Sequence, residues 1–250
     1  MTRFPAVSVR LAILAAVPSA LLLASAAGQA PETARTADKP IRVVLVGDST
    51  VTDDAGWGLG FRRYVTDRVE VVNEAASGRS SKSYFDEGRW KQALARAGAY
   101  YLIQFGHNDE PGKGPERETD PKTTFRQNLA RYVDEARAAG GVPVLVTSIV
   151  RRHYNEDGTI RTTQTPYVEA VRAVAAEKGV PLIDLHAATR ADAEHAGDPV
   201  WADLSPVDEK GQVDRTHLNA KGSVVVAGFL VEELRKALPA LAPHLLPQPK

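Results

Sequence analysis

Five short apolar runs, at residues 41–46, 69–72, 100–105, 142–147 and 180–184, punctuate the chain. Longer segments of helical period separate them. A strand with one wet face alternates apolar and polar residues. A near-continuous apolar run of strand length belongs instead to a strand covered on both faces, as parallel strands are. Residues 125–139 place Phe125, Leu129, Tyr132, Val133 and Ala136 on one helical face, and residues 165–178 do the same with Val168, Val171 and Ala175. Gly140-Gly141 and Gly179 follow these two segments, where helices end. A last helix is expected over 220–238, capped by Asn219 and stopped by Pro239. This alternation predicts a three-layer α/β/α sandwich around a five-stranded, mainly parallel sheet. Ligand sites in such sheets lie at the carboxyl ends of the strands.

The 250 residues suffice for one such domain. Residues 41–250 are assigned to it. Residues 1–27 carry Arg3 and Arg10, then an apolar stretch ending in Ala24-Ser25-Ala26, the pattern of a cleaved signal peptide. Pro18 interrupts the stretch, which argues against a permanent membrane anchor. Residues 28–40 read as a flexible lead-in. The expected location is therefore periplasmic or extracellular, with no stable membrane association after cleavage. Lys+Arg and Asp+Glu both number 31. This balance excludes the basic excess of a nucleic-acid binder. The chain has no cysteine, which excludes disulfides, thiolate catalysis and Cys-based zinc sites. A monomer is expected.

Polar blocks follow three of the apolar runs: Gly47-Asp48-Ser49-Thr50, Ala76-Ser77-Gly78-Arg79-Ser80-Ser81 and Gly106-His107-Asn108-Asp109. A fourth, Asp214-Arg215-Thr216-His217, precedes the last helix. Together they contain what acyl transfer requires. A serine hydroxyl is a poor nucleophile until a base takes its proton, and His217 is a base that titrates near neutrality. Asp214 can accept the other ring N–H, fixing the tautomer and stabilising the imidazolium. The tetrahedral oxyanion needs preorganised donors, which the backbone N–H groups of Ser49 and Gly78 and the Asn108 amide can supply. Glycine at 78 is expected to permit a close backbone approach.

These four blocks resemble those of the SGNH/GDSL hydrolase superfamily. The flanking Gly56-Trp57-Gly58, Lys82-Ser83-Tyr84 and Gln104-Phe105 are similar to the rhamnogalacturonan acetylesterase branch. The resemblance spans most of 43–230 and implies a flavodoxin-like SGNH fold. It assigns Ser49, Asp214 and His217 to catalysis, and Ser49, Gly78 and Asn108 to the oxyanion hole. It also implies removal of acetyl groups from a plant cell-wall polysaccharide with no metal or other cofactor. Fungal members carry cysteines, so the resemblance is to bacterial ones.

For substrate binding, Trp57 and Tyr84 are candidate sugar-stacking platforms, although aromatics more often serve the core. Arg79, Arg151 and Arg152 are candidate contacts to an acidic polysaccharide, with loop bracing as the alternative for Arg79. His107 is assigned a structural hydrogen-bonding role, and His153, His186, His195 and His244 a surface or capping one. Asp109-Glu110 lacks the spaced partners of a metal site. Competing functions are an acetylxylan esterase, a broad lipase or thioesterase, and a non-catalytic carbohydrate-binding relative. The polar loop 110–121 disfavours a lipase lid, and the intact Ser-His-Asp set disfavours a mere binder.

Overall fold

The computed structural model describes residues 39–250, so the signal peptide and most of the lead-in lie outside the described residues. In chain order the strands are β1 (Ile41–Gly47), β2 (Val69–Asn73), β3 (Tyr100–Gln104), β4 (Val142–Val146), β5 (His153–Tyr154), β6 (Ile160–Arg161) and β7 (Leu182–Ile183). The helices are α1 (Gly58–Arg62), α2 (Ser81–Asp86), α3 (Arg89–Ala95), α4 (Thr124–Ala138), α5 (Thr165–Lys178), α6 (Leu185–Ala196), α7 (Asp198–Asp203) and α8 (Ala220–Ala237). Five strands form one parallel sheet in the order β2-β1-β3-β4-β7, while β5 and β6 pair as a small antiparallel hairpin outside it.

The five apolar runs are these five strands. Along β1, Val43 and Leu45 join the core on one face of the sheet, and Val44 and Val46 join the core on the other. All four are fully buried. Each contributes roughly 1.5–3 kcal/mol by leaving water, as suits an interior strand with neighbours on both sides. The fifth strand is shorter than its apolar run, because only Leu182 and Ile183 pair with β4. Pro181 has no N–H to extend the ladder and contributes only its carbonyl, to Leu145.

The order reverses at β1, whose neighbours are β2 and β3. Loops leaving β1 and β3 therefore diverge, and the crevice between them is where sheets of this kind bind ligands. Asn219 caps α8 as expected, its side-chain oxygen accepting the Gly222 N–H at 3.0 Å.

Candidate active site

The loop after β1 carries Ser49, and it is held from several sides. Asp48 accepts the Thr50 N–H at 2.8 Å and the Thr50 hydroxyl at 2.7 Å. The Gln104 side-chain N–H donates to the same hydroxyl at 2.7 Å, and the buried Trp57 indole donates to Gln104 Oε1 at 3.0 Å. Gly56 lies so close to this turn that a Cβ would stand 2.2 Å from the Thr50 carbonyl carbon. The Gly56-Trp57 pair is thus a clamp on the nucleophile turn.

Ser49 meets His217 across 168 positions of sequence. The Ser49 hydroxyl is 2.8 Å from His217 Nε2, and His217 Nδ1 is 2.7 Å from Asp214 Oδ2. The other Asp214 oxygen accepts the backbone N–H groups of Thr216 at 2.7 Å and His217 at 2.9 Å. Partial burial works against ionisation of Asp214, but these hydrogen bonds outweigh it and hold the carboxyl below its usual value. Leu218 N–H, next along, donates to the Ala55 carbonyl at 3.0 Å and ties this loop to the nucleophile loop.

Behind that loop lies Arg152, 1% exposed. Its guanidinium donates to the carbonyls of Asp214, Thr216 and His217 at 3.1, 3.3 and 2.8 Å and to the Ser205 hydroxyl at 2.9 Å, and it faces the Trp201 ring at 5.3 Å. Burial pulls its pKa down to about 10, which leaves it charged at neutral pH. A cation in this cage fixes the backbone from which Asp214 and His217 project. Arg152→Met strands several buried carbonyls, an expected loss of roughly 3 kcal/mol. That corresponds to a Tm drop of roughly 6–12 °C. It should also lower kcat/KM about 10²-fold by loosening His217. Arg152→Lys keeps the charge without the planar fork and should fall between. Differential scanning fluorimetry and ester hydrolysis at 25 °C check both. Wild-type kcat/KM in Arg152→Met would remove the bracing role.

Gly78, Asn108 and His107 line one cavity of about 430 Å³ with Ser49 and His217. Gly78 has φ +79°, and an added Cβ would meet nothing within 4 Å. The left-handed backbone itself requires the glycine, and no protein atom crowds the space in front of it. One Asn108 N–H donates to the Arg79 carbonyl at 3.1 Å, which orients the amide. Among the described residues no group of three or more His, Asp or Glu side chains converges as metal ligands would.

Residues 45–225 match the GDSL-like lipase/acylhydrolase family. The chain belongs to that family. It is 40% identical to the rhamnogalacturonan acetylesterase RhgT of Bacillus subtilis, over 83% of this chain and 95% of the relative. It is 34% identical to the rhamnogalacturonan acetylesterase of Emericella nidulans, over 74% and 81%. The fold matches the crystal structure of YxiM from Bacillus subtilis with a TM-score of 0.68 at 22% identity, covering 79% of this chain and 57% of that one.

Within this GDSL-family frame, three of the five candidate substrate-binding residues are corrected. Trp57 and Tyr84 are fully buried. Trp57 serves the clamp already described, and the Tyr84 hydroxyl donates to the Glu74 carbonyl at 2.6 Å while its ring packs on Phe105. Neither has a face to offer a sugar. Arg152 is enclosed in its carbonyl cage. Arg79 remains at the surface, yet it braces its own loop by donating to Glu87 and to the Ser77 carbonyl. Only Arg151 lines the cavity, and its guanidinium is engaged by Glu110 and the His107 carbonyl. His186 is buried rather than superficial, with Nδ1 3.0 Å from the Ser148 carbonyl.

Asp109, beside Asn108 in the GDSL-family site, is fully buried and went unassigned from sequence. It accepts hydrogen bonds from the Ser81 N–H, the Ser81 hydroxyl and the Thr119 hydroxyl, joining the loops after β2 and β3. Burial nevertheless pushes its carboxyl up to about 7, and the Asp48 charge adds to the rise. The folded state therefore holds a proton that the unfolded chain releases near pH 4. Its contribution is fully present below about pH 4 and is lost as pH rises towards about 7. Asp109→Asn mimics the protonated form, so its Tm relative to wild type should climb across this window. A pH-independent difference in thermal denaturation would count against the assignment.

Proposed function

We propose that this GDSL-family hydrolase removes O-acetyl groups from a pectic polysaccharide of the rhamnogalacturonan type, with Ser49 as nucleophile. The observation that carries the chemistry is the Ser49–His217–Asp214 relay, at 2.8 and 2.7 Å, opening into a cavity shared with Gly78 and Asn108. The substrate class rests on the relatives, which are named for it. Ser49 Oγ attacks the acetyl carbonyl as its proton passes to His217 Nε2. The oxyanion is held by the N–H groups of Ser49 and Gly78 and the remaining Asn108 N–H. His217 then returns the proton to the sugar oxygen, which departs as an alcohol and leaves an acetyl-serine. Water, deprotonated by His217, attacks that ester, and acetate leaves as Ser49 regains its proton.

Long acyl chains are poor candidates, because Lys113, Arg151, His107 and Asn108 wall the cavity beside Ser49 with polar groups. Acetate release from acetylated rhamnogalacturonan, acetylated xylan and 4-nitrophenyl acetate tests the reading. The pectic polymer should give the highest kcat/KM of the two polysaccharides, and the reverse order would favour the acetylxylan alternative. Export is part of this proposal and rests on the sequence of residues 1–27. Mass spectrometry of protein from the culture supernatant checks it through a new N-terminus near Ala27.

A further inference from the structure

Three cavities adjoin on one side of Ser49, and Arg151 walls all of them. The first holds the Ser49 hydroxyl. The second, about 570 Å³, shares Lys113 and Arg151 with the first and has an apolar lining of Pro111, Pro121 and Pro166. The third, about 400 Å³, shares Arg151 and Thr163 with the second and adds His153 and Arg161 from the β5–β6 hairpin. A polymer seated with one sugar at Ser49 has a continuous path past these walls.

The charges along this path are unequal in availability. Arg151 is neutralised by Glu110, whose other oxygen accepts the Thr163 hydroxyl at 2.5 Å. Among the described residues, Lys113 and Arg161 make no ion pair and no side-chain hydrogen bond. Lys113 is nonetheless placed, since Glu118 Oε1 accepts the N–H groups of Gly112 and Gly114 on either side of it, each at 2.8 Å. Arg161 is placed by the pairing of β5 with β6. His153 reports the same field: its partial burial and the charges of Arg151, Arg161, Arg215 and Arg152 all lower its pKa.

We propose that Lys113 and Arg161, on either side of Arg151, bind the carboxylates of uronic-acid residues flanking the acetylated sugar. This inference rests on the pectic reading above and assigns its charge recognition to residues other than the Arg151-Arg152 pair. The proline-lined cavity between the two cations suits the apolar C–H face of a sugar ring, which carries no charge. Solvent-exposed charge pairs contribute about 0.2–1 kcal/mol each. Two of them translate into roughly two- to thirtyfold in kcat/KM.

The test compares acetate release from acetylated rhamnogalacturonan oligosaccharides with release from the same oligosaccharides after methyl esterification of their carboxyl groups. Wild type should favour the charged form, and the preference should shrink as salt rises from about 0.05 to about 0.5 M, because the Debye length contracts. In Lys113→Gln/Arg161→Gln the ratio of kcat/KM for charged over esterified substrate should fall roughly five- to tenfold and lose its salt dependence. A ratio unchanged in the double variant, or equal rates on both forms by wild type, overturns the inference and leaves the deacetylase reading intact. No acetate from either form by wild type overturns both.

Discussion

Ser49→Ala is expected to lower kcat/KM by at least about 10³-fold while leaving the fold in place. The two parts have separate causes. The hydroxyl is half-buried and its side-chain partner is His217 Nε2. Its removal forfeits about 1.5 kcal/mol at most, a Tm change within roughly 6 °C. The clamp on the turn acts through Thr50, Gln104 and Trp57, and these contacts survive. What is lost is the atom that forms the acyl-enzyme, and His217 can only deprotonate water in its place. Turnover of 4-nitrophenyl acetate and a serine-directed phosphonate read the result. The phosphonate should add one mass equivalent to wild type and none to the variant. Residual turnover within tenfold of wild type would assign the nucleophile elsewhere.

Asp214→Asn should reduce kcat/KM by up to about 10⁴-fold, with little change in Tm. The asymmetry of the carboxylate makes this substitution informative. Oδ1 holds the backbone amides of Thr216 and His217, and an asparagine carbonyl can keep both. Oδ2 faces His217 Nδ1 at 2.7 Å. An amide NH2 in that place donates where the carboxylate accepted. Nδ1 must then be the bare nitrogen and Nε2 must carry the proton, so Nε2 can no longer take one from Ser49. Asp214→Ala removes the loop anchor as well, and should lower Tm where Asp214→Asn does not. Loss of Tm equal in the two variants, with activity retained in Asp214→Asn, would make Asp214 a loop brace and nothing more.

The sheet was legible because its interior strands β1, β3 and β4 are buried on both faces and the edge strands β2 and β7 still turn apolar residues to both cores, which short apolar runs report directly. The long helices α4, α5 and α8 were legible for the same kind of reason, a strong face and a capping residue or glycine. Helices α1, α2, α3, α6 and α7 and the β5–β6 hairpin carry no such mark. The five residues of α1 include two glycines, and the buried face of Leu185–Ala196 is Leu185, His186, Thr189 and Ala193, only one of them a large apolar side chain. Tertiary packing, not periodicity, makes these helical. At the site, the chemistry-bearing residues Ser49, Asp214 and His217 were readable from type and order, and the structure brings them together. Residues that hold them were not. Nothing in the Arg151-Arg152 doublet says that one guanidinium faces the cleft and its neighbour is walled in by carbonyls. Nor does a tryptophan beside a catalytic turn announce that its indole is tied to Gln104. Adjacent residues of an irregular segment point in directions that only the surrounding loops decide.

Ser49 lies on the loop after the first strand and His217 immediately ahead of the last long helix, so the relay joins opposite ends of the described domain's sequence. The same ends are stitched by the Gly60 N–H donating to the Ser223 hydroxyl at 2.9 Å, between α1 and α8. Val226, Leu230 and Leu234 of α8 share one buried core with Val43 and Leu45 of β1, so the helix that follows His217 also covers one face of the sheet. A chain in which α8 is undocked therefore has Ser49 without its base, and the packing of this core and the hydrolytic activity are lost together. Recovery of esterase turnover during refolding should accordingly coincide with the return of the near-ultraviolet circular dichroism of the packed core.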